Sequence, residues 1–153
     1  MTNILDKQKF NITSQDGEDG ILKYLINKFH INKSLVEIGS HNGEWLSNTY
    51  NLWKNNSFKG LLMEYSKEPY NDLKLKYGNY KNIQIIKQKV LPSGINSVDE
   101  IVKKNCFFER PGVLSIEGTY LNDCFAHDYH ILEYMNYLKP QIIIIGHAYN
   151  IPP

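Results

Sequence analysis

Two rhythms of apolar and polar residues alternate along the chain. Ile21, Leu22, Leu25, Ile26 and Phe29 recur at helical spacing and predict a helix over residues 17–29 with these five side chains inward. Leu35-Val36-Glu37-Ile38 is a β-rich run that stops at Gly39. Residues 45–53 read as a second helix, with Trp45, Leu46, Thr49, Leu52 and Trp53 on its buried side. Residues 60–64 form the next strand-like run and end in Glu64. Ser66 is placed to cap a helix that tolerates Pro69 in its first turn and turns Tyr70, Leu73 and Tyr77 inward. A third strand is expected over residues 83–86. Ser97-Val98-Asp99-Glu100 then has the form of a capping box that opens a helix reaching about Asn105. Residues 113–116 read as a fourth strand. Ile131, Leu132, Met135 and Leu138 mark a helix ending before Pro140, and residues 141–145 read as a fifth strand.

Strands alternating with helices predict a parallel sheet covered on both faces. Val, Ile and Leu crowd the strand runs, as burial on both sides requires. Right-handed crossovers then limit the topology. The fold expected is α/β: a Rossmann-like, doubly wound parallel sheet of strand order 3-2-1-4-5, with helices on both faces. Residues 1–153 read as one domain, without repeat or linker.

Composition narrows the partners. Seventeen basic and sixteen acidic side chains give a net charge of +1, so no broad basic field exists to neutralise nucleic-acid phosphates. The longest purely apolar run, residues 142–145, is far too short to span a membrane. Cys106 and Cys124 are the two cysteines, and they read as thiols in a reducing cytoplasm. Neither nucleic acid nor membrane is therefore expected as a partner.

The sharpest chemical signal is Val36-Glu37-Ile38-Gly39-Ser40-His41-Asn42-Gly43, placed where the first strand turns towards a helix. Gly39 allows a tight turn and close approach to a ligand. Gly43 is placed to open the next helix, whose free amides would attract negative charge. With two glycines the run is not the dinucleotide fingerprint, and an ordinary strand-to-helix turn would read the same way. Glu64, at the tip of the second strand, adds context. A carboxylate there accepts two hydrogen bonds from the vicinal hydroxyls of a ribose.

Ser14-Gln15-Asp16-Gly17-Glu18-Asp19-Gly20, the Val36–Gly43 run and Leu62-Met63-Glu64 together resemble the FkbM-like branch of class I methyltransferases, which use S-adenosylmethionine (SAM). The likeness extends from Ser14 to Pro153. It implies a SAM pocket lined by Glu37, Gly39, Ser40, Asn42 and Gly43, a ribose held by Glu64, and residues 14–16 closing over the site. It also implies O-methylation of a hydroxyl on a small molecule or glycan. The departures are specific. Glu117 stands where the family's fourth strand ends in Asp. Residues 118–123 look inserted before Ala126-His127-Asp128-Tyr129 resumes the pattern. Gly146 replaces a glutamate after strand five, although Asn150 is kept. The family's sixth and seventh strands have no counterpart in these residues.

Glu117 and Asp128 are the carboxylates best placed for acid–base work, and His147 is the base nearest neutral pH. Structural readings compete: Asp128 offsets a helix dipole at the start of its helix, and His147 is a loop residue. Cys124-x-x-His127-x-x-His130, with Glu117 and His147, has ligand chemistry but no standard zinc spacing, so no metal is expected. A rival reading is a module of the same fold that binds SAM or a nucleotide, or serves as a scaffold, without chemistry. A dehydrogenase on this fold is disfavoured by the missing third glycine. If strand five is the last of the sheet, its apolar edge invites a second copy, so a homo-oligomer through that edge is expected.

Overall fold

The computed structural model describes residues 3–117 and 127–146. A short 3-10 turn, Asp6–Gln8, precedes helix α1 (Glu18–Phe29). Strand β1 (Ser34–Ile38) leads through a long loop to α2 (Tyr50–Asn55). There follow β2 (Lys59–Glu64), α3 (Lys67–Tyr77), β3 (Ile83–Lys87), α4 (Val98–Lys104), β4 (Val113–Ile116), α5 (His127–Tyr134) and β5 (Ile142–Ile145). The five strands form one all-parallel sheet of order β3-β2-β1-β4-β5, as the alternation predicts.

Register explains the two cores. Leu35, Glu37, Leu62, Val113 and Ser115 share one face, because residues paired across a parallel sheet point the same way. On that face Leu35, Leu62 and Val113 pack with Leu22 of α1, Leu52 and Trp53 of α2, and Leu73 and Tyr77 of α3. On the other face Val36, Ile38, Leu114 and Ile116 pack with Val98, Ile101 and Val102 of α4 and Ile131 of α5. Central β1 and β4 are wholly buried, which is why no polar alternation marks them in the sequence. The outer strand β5 alternates: Ile142 and Ile144 are half-buried, whereas Ile143 and Ile145 are exposed. Among the described residues no helix is long and apolar enough to cross a membrane.

Several local expectations are corrected. The helix expected over residues 45–53 begins only at Tyr50. Leu46, inside that span, has φ +56°, and a right-handed helix cannot run through it; Gly39, His41 and Gly43 give the preceding loop the same left-handed turns. Trp45 is consequently 50% exposed rather than inward. Phe29, in the last turn of α1, is also exposed. Ser66 makes no side-chain cap on α3; its own N–H donates instead to Glu64 Oε1 at 2.6 Å. Ser97 does cap α4, accepting from Glu100 N–H, but the reciprocal half of the box is not made: Ser97 N–H donates to Gly94, and Glu100 pairs with Lys103. Finally, α5 stops at Tyr134 rather than near Leu138. The amides of Asn136, Tyr137 and Leu138 turn away to donate to Asp99 at 2.7–2.9 Å, and Leu138 is still buried there.

Candidate functional site

Sheet order places the reversal of winding between β1 and β4. Open α/β sheets bind ligands beyond the carboxyl ends of their strands at this switch point. The tips of β1, β2, β4 and β5 carry Gly39, Glu64, Glu117 and Gly146. Gly39 N–H and Ser40 N–H both donate to Met63 C=O, and Glu117 N–H donates to Ile38 C=O, so these tips are fixed to one another by backbone.

Glu64 is buried at the β2 tip. Its Oε2 accepts His41 N–H at 2.8 Å and its Oε1 accepts Ser66 N–H at 2.6 Å. An ionised carboxylate has about four acceptor sites, so each oxygen keeps capacity for one more donor. Glu64 thus joins the β1 loop to the start of α3.

Glu37 is 3% exposed. Its Oε1 accepts the Ser47 hydroxyl at 2.8 Å, while Oε2 has no hydrogen-bond partner. Ser115 lies directly beside it in register, and Ser115 Oγ and Thr49 Oγ1 are likewise buried without partners. Burial pushes the Glu37 carboxyl up to about 7, against the pull of the Ser47 hydroxyl, and the nearby Glu117 charge adds to the rise.

Glu117 leaves the tip of β4 and accepts a hydrogen bond from Asn48 Nδ2. Burial raises its carboxyl to about 7 despite Asn48, and the Glu18 and Asp128 charges raise it further. Asp128 is buried in the first turn of α5. Gly146 closes this corner: a Cβ there would stand 3.6 Å from both Asp128 Oδ2 and Glu117 Cγ, and its N–H donates to Ile116 C=O.

The remaining candidates are placed differently. Gly43 does not open a helix. Its φ is +86°, and a Cβ would meet Leu73 Cδ1 at 2.6 Å, so it lets the β1 loop lie against α3. Asn42 Oδ1 accepts Glu44 N–H and Trp45 N–H, holding its own turn. The Ser40 hydroxyl turns inward to Glu37 C=O. Thr13, next to the segment expected to close over the site, donates from Oγ1 to Ser47 C=O at 2.8 Å. Asp19 Oδ2 gathers the amides of Ile12, Thr13 and Ser14 behind it. His147 and Cys124 lie outside the described residues, as does the His127 side chain. His130 is exposed and pairs with Glu133 at 3.0 Å. Among the described residues no group of three His, Cys, Asp or Glu could hold a metal ion.

Ser47, Asn48 and Thr49 were missed because they fell inside an expected helix. Their signal was nonetheless present: three consecutive residues whose side chains compete with helical hydrogen bonding indicate a turn. Ser47 Oγ accepts Thr49 N–H and Tyr50 N–H as it donates to Glu37, so one hydroxyl starts α2 and tethers the buried carboxyl.

A hollow of about 400 Å³ lined by Leu91, Pro92, Ser93, His130 and Tyr134 lies to one side; of the candidate residues it includes only His130. The chain matches no family model and no curated protein.

Proposed function

We propose that this chain binds S-adenosylmethionine at the β1–β4 switch point and methylates a hydroxyl of a small molecule or sugar. The observation that carries the reading is the meeting of three groups at one sheet edge: the Gly39 turn, the Glu64 carboxylate and the Glu117 carboxyl. Non-glycine residues with positive φ, His41 and Leu46, occur in the same loop, and such conformations concentrate at ligand clamps. The residues fit the cofactor in two respects. Glu64 keeps acceptor capacity for the ribose hydroxyls, and the left-handed turn at Gly39 bears no side chain to fend off a ligand.

When bound, the cofactor supplies an electrophilic methyl group on a sulfonium. The chain's own part is positioning and proton removal. Glu64 and the residue 39–49 loop orient. Asn48 holds one oxygen of Glu117, and the other would accept the proton of the acceptor hydroxyl. A carboxyl raised to about 7 is matched to that task near neutral pH. Asp128 and Gly146 shape the acceptor side.

A second reading, a binding module of the same fold without chemistry, has one observation in its favour. Because α2 begins only at Tyr50, no helix N-terminus follows Gly43 to receive a ligand's negative charge. Calorimetric titration with SAM and S-adenosylhomocysteine, with Glu64→Ala as control, separates the readings from their common alternative. Micromolar binding, about −8 kcal/mol, lost in the variant, is expected. A folded chain that binds neither compound would sink both the methyltransferase and the SAM-binding module. Binding without methyl transfer to any hydroxyl acceptor would favour the module.

A further inference from the structure

A second hollow lies away from the sheet edge, on the outer side of α1. It measures about 560 Å³ and is lined by Lys7 and Lys9 from the 3-10 turn and its exit, Lys23 and Lys28 from α1, and the rings of Phe10 and Tyr24. No carboxylate lines it. Lys9 pairs with Asp6 at 3.2 Å; Lys7, Lys23 and Lys28 have no carboxylate partner among the described residues. In a chain of net charge +1 this is a local concentration of positive charge.

The hollow is built by backbone contact rather than by loose side chains. Gly20 N–H donates to Phe10 C=O at 3.1 Å. A Cβ on Gly20 would lie 1.9 Å from Gln8 C=O, so only glycine lets residues 8–10 lie this close to the helix. The aromatic rings then set the ammonium groups. Lys23 Nζ sits 5.8 Å from the Phe10 centroid, and Lys28 Nζ sits 5.2 Å from the Tyr24 centroid while donating to its hydroxyl at 3.0 Å. Ammonium groups held in place before binding lose less freedom on binding.

We propose that this groove binds linked phosphate groups, as a diphosphate or triphosphate carries them. Lysine ammonium groups meet phosphate as point charges, and several gathered around one hollow match an anion carrying several charges better than a single carboxylate. Both rings already carry a lysine, so recognition rests on the phosphates rather than on a stacked base. The site is independent of the sheet-edge crevice and of any methyl transfer there.

Calorimetric titration of the full chain with inorganic tripolyphosphate tests this. Saturable binding is expected at low salt, weakening as salt rises from about 50 to 200 mM. Lys23→Gln with Lys28→Gln should weaken it roughly tenfold or more, whereas Lys74→Gln with Lys81→Gln, on exposed lysines elsewhere, should leave it unchanged. Circular dichroism checks that both variants are folded. No saturation, or equal weakening in the two pairs, overturns the proposal. A nucleoside triphosphate and vesicles bearing a lipid diphosphate are run alongside. Whichever binds more tightly than tripolyphosphate identifies the source of the phosphates, and parity of all three assigns recognition to the phosphates alone.

Discussion

Two regions of this molecule bury carboxylates in opposite ways. In the first turns of α1 and α4, Asp19 and Asp99 each collect three backbone amides from neighbouring loops. Asp19 also takes the Ser14 hydroxyl at 2.7 Å. At the sheet edge, Glu37 and Glu117 each have a single side-chain donor, Ser47 and Asn48. These helix-start carboxylates organise chain that has no regular structure of its own: their amide partners are residues 12–14 and 136–138. The edge carboxyls organise nothing comparable, and burial leaves them poised to exchange a proton near neutral pH. Charge that a fold spends on its own backbone is structural. Charge buried with few donors costs stability and is the better candidate for chemistry.

The comparison can be broken most directly at Asp99. Asp99→Ala strips three amides of their acceptor and should destabilise the chain by about 4 kcal/mol at pH 7, read by urea denaturation. A loss under 1 kcal/mol would mean that the loop does not depend on it. Next in size is Glu37→Gln, with the opposite sign. Below about pH 4.5 the Glu37 carboxyl is protonated in both the folded and the unfolded chain, and nothing is lost. Between 4.5 and about 7 only the unfolded chain releases the proton, so folded stability falls as pH rises, and above about 7 the loss is complete at about 3 kcal/mol. Glu37→Gln should therefore stabilise the chain at pH 8 and be near neutral at pH 4. Thermal unfolding at both values checks this, and a variant less stable at pH 8 would contradict it.

Glu117→Gln should show the same sign with a smaller gain, about 1 kcal/mol, since this side chain is only partly buried. Joined to Glu37→Gln, it should give less than the sum of the single gains, because each charge raises the other's cost. Strict additivity would show the two carboxyls to be uncoupled. The smallest effect is expected at Trp45→Ala, within about 0.5 kcal/mol, because the indole is half exposed in the β1 loop. A loss of several kcal/mol there would restore Trp45 to the core role that helical spacing suggested.

Much of the architecture was legible along the chain. Five aliphatic runs alternating with helical periods dictate a parallel sheet, since the central runs are buried on both faces and the helices cover those faces. Glu64 was found the same way: a carboxylate at the end of an apolar run must lie at a strand tip. Residues 39–49 were not legible. Trp45, Leu46, Leu52 and Trp53 have helical spacing, but the positive φ at Leu46 and the Ser47 hydroxyl break that helix and delay it to Tyr50.

Residue order thus determined the sheet and the presence of acidic residues at successive strand ends, because period and strand termini are local properties. Only the tertiary structure decided which carboxyls are held by amides and which are left poised. Asn48 meets Glu117 across sixty-nine residues of chain, and Asp99 meets residues 136–138 across at least thirty-seven. Solvation and hydrogen bonding at such distances are set by packing, and no local pattern of residues encodes them.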